Sequence, residues 1–159
     1  MPTKYQENMI KNSHEYFMNE ALKEAKKAND KDEVPVGAVV VLDGKIIARA
    51  HNLRESRQSI HAHAEFLAIE KATKKIDSWR LENAEVYVTL EPCPMCAGAM
   101  IQARIKNLYY GAKDPKTGAV ESVIKLLDNP FNHKIYYEGG LLMDKCSNIL
   151  STFFKNKRK

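Results

Sequence analysis

Two cysteines, Cys93 and Cys96, stand directly after a β-branched run and downstream of His63 and Glu65. No other feature limits the possible folds as much. Pro94 suits the first position of a helix, with Cys93 just before it. Cys93 and Cys96 then share one face of the first turn, where unpaired N–H groups and the positive helix end favour thiolate. His63 and Glu65 add a second requirement. Residues two apart on a regular helix point about 200° apart. Both can face one point only if His63 lies at or before a helix start, and Phe66, Leu67, Ile69 and Ala72 do read as the core face of a helix that begins there. The chain must therefore bring two helix N-termini together.

Three ligands, His63, Cys93 and Cys96, are the set of a catalytic zinc site, which keeps its fourth position open; a structural site closes all four. A lone Cys-x-x-Cys also suits a redox pair or half of a closed zinc site. A lone His-x-Glu says little. Together, His-x-Glu followed by Pro-Cys-x-x-Cys is the signature of zinc nucleobase deaminases, in which the glutamate moves protons and does not bind the metal.

The length of 159 residues suits one domain with a sizeable core. No apolar run approaches the roughly 20 residues of a membrane span, and the start lacks the apolar stretch of a secretory signal, so a cytoplasmic protein without membrane contact is expected. Three cysteines make a poor disulfide framework, and Cys146 reads as a small buried hydrophobe. The net charge of +5 is modest, but four of the last five residues, 155–159, are positive. Such a tail is either a solvated end or a phosphate-binding arm.

In chain order, residues 1–12 are polar and expected to be flexible. A helix is expected over 13–28, with Ser13 as cap and His14 on the surface. Residues 34–42 and 45–50 read as a hairpin about Asp43-Gly44, with Gly37 allowing close backbone approach. A loop over 52–60 leads to the His63 helix, which fades near 77–78. Trp79 reads as a packing anchor. A strand over 85–90 delivers Cys93, and its helix runs to about 104. A parallel strand follows over 107–112, then a loop at 113–118 and a short helix near 123–127. A second loop covers 129–133, a weak strand 134–138, and a last helix 144–154. The expected class is α/β: one mixed five-stranded sheet sandwiched by helices.

With these residues in view, the chain resembles the bacterial transfer-RNA adenosine deaminases of the cytidine deaminase-like superfamily. The resemblance runs from Tyr16 to Arg158. It is carried by residues 34–38, 62–65, 78–81, 90–100, 114–118, 131–133 and 153–154. It implies zinc at His63, Cys93 and Cys96, with Glu65 carrying protons from water to the purine N1 and the leaving amino group. It also implies a homodimer acting on the wobble adenosine of an anticodon loop in tRNA. By the same resemblance Asn52 and the Ala64 backbone hold the flipped base, and Val36 walls the pocket. Arg54, Asp114, Lys116, Asn132, His133 and Phe153 then contact the extruded loop. Plainer readings stand beside these: Asn52 as a loop cap, His133 as a surface histidine, Phe153 as core. Two departures bear on loop shape and charge, Ile60-His61 before the His63 motif and Glu121 in place of a small residue. A deaminase of free guanine or cytosine-type bases, or a zinc-stabilised RNA-binding module without catalysis, are the alternatives.

Overall fold

Along the central strands every second side chain goes to the same face, and both faces are apolar. The sheet must therefore be covered twice. The computed structural model describes residues 1–158. Its sheet has the order β2-β1-β3-β4-β5, with β1 at Gly37–Leu42, β2 at Lys45–His51, β3 at Glu85–Leu90, β4 at Asn107–Ala112 and β5 at Tyr136–Glu138. β1 is antiparallel to β2 and β3; β4 is parallel to β3 and to β5. Asp43 and Gly44 take φ of 52° and 76°, the positive values that a two-residue type I′ hairpin turn needs.

Ala38, Val40, Val86, Val88, Leu108 and Tyr110 face helices α3 (Ala64–Ile76) and α4 (Pro94–Ala103). Val39, Val41, Tyr87 and Tyr109 face helix α1 (Lys4–Asp30) and helix α5 (Met143–Lys157). A short helix, α2 (Arg54–Arg57), lies in the connection between β2 and α3. Gly37 sits where β1 meets α1: a Cβ there would fall 2.0 Å from the Ala21 carbonyl oxygen. No helix among the described residues is long and apolar enough to cross a membrane.

Several local expectations need correction. The segment expected to be flexible at the start is helical from Lys4, because Thr3 and Gln6 form a reciprocal capping box. His14 is not a free surface residue: its Nδ1 lies 2.6 Å from the Tyr87 hydroxyl, and its ring packs on Tyr109. Trp79 is 56% exposed, with the Arg80 and Arg104 guanidinium groups over its ring. The short helix expected near 123–127 is a single 3-10 turn at Leu126–Asp128. The last helix continues past Phe154 to Lys157, so most of the basic tail is helical; Lys159 lies outside the described residues. Cys146, by contrast, is fully buried as expected, its sulfur against Gly111.

Candidate active site

His63 and Cys93 each cap a helix start, where the backbone is still extended, and Cys96 lies in the first turn that follows Cys93. His63 is the N-cap of α3, with φ −83° and ψ 149°. Glu65 follows in the first turn of that helix. The extended residue breaks the 100° helical step, so His63 and Glu65 line one cavity. Cys93 is the N-cap of α4, with Pro94 next to it and Cys96 on the same turn.

His63 Nδ1 lies 3.6 Å from both Cys93 Sγ and Cys96 Sγ, and all three ligand atoms fall within 4.8 Å of one another. Tetrahedral zinc, with bonds of about 2.3 Å to sulfur and about 2.0 Å to nitrogen, places such N and S atoms about 3.5 Å apart. The residues present therefore fit one ion. Their charge fits too. The hydrogen bond from Cys96, followed by that from His63, lowers the Cys93 thiol to about 4. The Cys93 sulfur in turn raises His63. Cys96 is driven far upward by its hydrogen bond to Cys93 and by burial. Glu65 is 4% exposed, and burial raises its carboxyl to about 7. A thiolate beside a buried carboxyl group concentrates negative charge where a cation would neutralise it.

The cavity over these groups holds about 430 Å³. Val36, Asn52, Arg54, Ala64, Asp114 and Lys116 all line it. Asn52 hydrogen-bonds locally: its Nδ2 donates to the Val34 carbonyl and its Oδ1 accepts from the Arg54 N–H. Asp114 closes its own turn, accepting from the backbone of Lys116 and Thr117 and from the Thr117 hydroxyl. Three sequence candidates are absent from the lining. Asn132 is exposed in its loop, and His133 Nε2 lies 2.7 Å from the Ile105 carbonyl oxygen. Phe153 is buried at 8% exposure, and Phe154 reaches the cavity with Leu150. The spacing of Leu150 and Phe154, four residues on one helix face, was the available signal.

Glu91 also lines the cavity, a role its position before Pro92-Cys93 does not announce. It is 2% exposed. Its carboxylate accepts from the N–H groups of Asp114, Val120, Glu121 and Ser122 and from the Ser122 hydroxyl. Burial alone would raise its pKa, but these bonds outweigh that and hold it below the ordinary value. Gly118 has no Cβ because one would fall on this carboxylate. Glu91 thus joins the loop that walls the cavity to the strand end that carries Cys93.

Comparison with known proteins places these features in a family. A model of the MafB19-like deaminases matches residues 12–158. The tRNA-specific adenosine deaminase of Bacillus subtilis (strain 168) is 53% identical over 146 residues, covering 91% of each chain. A solved structure from work on A-to-I editing by tRNA:A34 deaminases at the wobble position is 47% identical. It superposes with a TM-score of 0.82 and covers 85% of this chain and 99% of the other. A guanine deaminase from Bacillus subtilis is 32% identical, with a TM-score of 0.61, over 75% of this chain and 87% of the other.

Proposed function

The chain belongs to the family of tRNA-specific adenosine deaminases, and we propose that it converts the wobble adenosine of a transfer-RNA anticodon loop to inosine, releasing ammonia. One juxtaposition supports the chemistry: the buried Glu65 carboxyl shares a cavity with His63 and Cys93, two members of the three-donor set that Cys96 completes. A structural metal site would have no use for that carboxyl. We assign one zinc ion per chain to the three donors; when bound, it supplies a water whose pKa is lowered to about 7.

Glu65 takes a proton from the attacking water and gives it to the purine N1 as oxygen adds to C6. It then takes the remaining proton from the hydroxyl oxygen on C6 and delivers it to the exocyclic amino group, so that the C6–N6 bond breaks as the C6 carbonyl forms. Water and adenosine become inosine and ammonia, so the balance closes. A carboxyl group whose pKa lies near the working pH can both accept and donate. Asn52 spends one amide hydrogen on Val34 and carries a second, which suits a ring-nitrogen acceptor of the base. Val36 and Leu90 supply apolar walls. An unpaired loop base leaves its stack at a cost of a few kcal/mol or less. Incubation with bulk transfer RNA and nucleoside analysis tests the activity, with free guanine and cytosine in parallel. Inosine is expected; deamination of a free base alone would replace this assignment with that of a base deaminase.

Arg54, Lys113 and Lys116 line the cavity, and the exposed Lys155 and Arg158 follow Phe154 in the chain; these charges are assigned to the RNA backbone. Lys157 is set apart by its ion pair with Asp32. Replacing Lys155 and Arg158 by alanine leaves that pair and Phe154 in place. The expected outcome is weaker RNA binding, with the slope of log affinity against log salt shallower by about 0.7 for each phosphate no longer neutralised. Titrations at several salt concentrations measure it; an unchanged slope assigns these two charges to solvent.

The remaining partner is a second copy of the chain. Phe66, Ile69, Trp79, Met95 and Ala99 line an apolar groove between α3 and α4, and Trp79 is exposed beside it. Sedimentation equilibrium is expected to give twice the chain mass. Trp79→Glu, a change at an exposed side chain, is expected to shift the equilibrium toward monomer by about tenfold or more. A monomeric parent would sink the assignment. The expected location is the cytoplasm, where transfer RNA is found.

A further inference from the structure

Glu33 is a carboxylate with 1% exposure, placed between the end of α1 and the start of β1. It lies outside the cavity, and no step of the chemistry uses it. Burying a carboxylate is costly unless its lone pairs are satisfied. Here they are satisfied from one segment only. Oε1 accepts from the Glu55 N–H at 3.1 Å, and Oε2 accepts from the Ser56 N–H at 2.6 Å and from the Ser56 hydroxyl. Glu55 and Ser56 are the second and third residues of α2. The residue at the cap position of that helix, Leu53, has no side chain able to cap it. Glu33 therefore fills the N-cap role from another part of the chain, satisfying two orphan N–H groups and opposing the helix dipole with its charge.

The same segment holds Asn52 in place. Its Oδ1 accepts from the N–H of Arg54, the first residue of α2, and its backbone N–H donates to the Val36 carbonyl. Its Nδ2 donates to the Val34 carbonyl, one residue after Glu33. Residues 33–36 and 52–56 are thus laced together, and the orientation of the Asn52 amide depends on where α2 begins. If α2 frays, Arg54 N–H leaves Oδ1 and the amide is held only by its bond to the Val34 carbonyl, so its free N–H is placed less firmly toward the base. Burial opposes ionisation of Glu33, but the bonds from Ser56 and Glu55 and the Arg54 charge outweigh it, so the group remains a carboxylate.

We propose that Glu33 is a positioning residue for substrate recognition: by capping α2 from outside the cavity, it fixes the amide orientation of Asn52 toward the purine. The inference rests on the deaminase assignment above. Glu33→Gln keeps size and one acceptor but sets an amide N–H group against one of the α2 N–H donors.

The test uses zinc-loaded full-length protein and an anticodon stem-loop RNA with a wobble adenosine, well below the unfolding temperature of each variant. Glu33→Gln is expected to raise KM about tenfold, with a smaller change in kcat, as for an interaction made before the transition state. Ser56→Ala, which removes one of the three bonds and disturbs folding less, is expected to shift KM in the same direction. The deciding measurement is the cycle with Asn52→Ala. If Glu33 acts through Asn52, Glu33→Gln changes KM by less than about twofold in the Asn52→Ala background. A full tenfold effect there, or unchanged KM in both Glu33→Gln and Ser56→Ala proteins whose thermal stability has fallen, overturns the proposal and leaves Glu33 a structural cap. A parent that forms no inosine from the same RNA overturns the functional assignment, and the positioning role with it.

Discussion

Glu65→Ala is expected to retain its metal and fold while losing at least about a hundredfold in kcat, the low end for general acid–base catalysis. Glu65 is 4% exposed, and burial outweighs its backbone hydrogen bond and the His63 charge, which is why its carboxyl rises to about 7. Removing it relieves the cost of a buried ionisable group, and alanine is the strongest helix former in the first turn of α3. Stability therefore gives no route to lost activity. Single-turnover rates on tRNA, with zinc content and unfolding temperature measured on the same sample, separate the possibilities. Near-normal turnover by a zinc-loaded variant would falsify the proton-transfer role.

The parts of the molecule that local chemistry decides were legible in the sequence. Pro94 after Cys93 announced a helix start, and the His63–Glu65 spacing demanded that His63 precede its helix. The Asp43-Gly44 turn and the alternation in β1, β3 and β4 gave the sheet. The buried carboxylates were not legible. Glu33 meets Ser56, and Glu91 meets Ser122, across connections whose paths no local pattern reveals. Either residue alone reads as an ordinary surface charge. Phe153 and Phe154 show the limit of periodicity. Adjacent helical residues point about 100° apart, and near the end of α5 few apolar neighbours fix which one faces inward. Thr3 and Gln6 carried a readable capping signature, but the polarity of the segment masked it.

Cys96→Ala is expected to abolish stoichiometric zinc binding, the larger of the two effects because it removes more than one function. Cys96 is fully buried on the first turn of α4, and its sulfur lies 3.6 Å from His63 Nδ1. No other Cys, His or acidic side chain completes the donor cluster among the described residues. Two donors remain in the variant, too few for a tetrahedral site that must also keep a position open. Activity is expected to fall by more than about a thousandfold, since electrostatic and acidifying effects of a bound metal are together worth several kcal/mol. Stability follows the metal. An ion that binds only the folded state raises the unfolding temperature as its concentration exceeds Kd, so added zinc should raise it for the parent and leave it unchanged for the variant. Cys146→Ala supplies the control: that thiol is equally buried but lies against Gly111, away from the donor cluster. It should pack less tightly and keep its zinc. Elemental analysis of both variants decides the assignment, and one zinc per chain in Cys96→Ala protein would remove Cys96 from the ligand set.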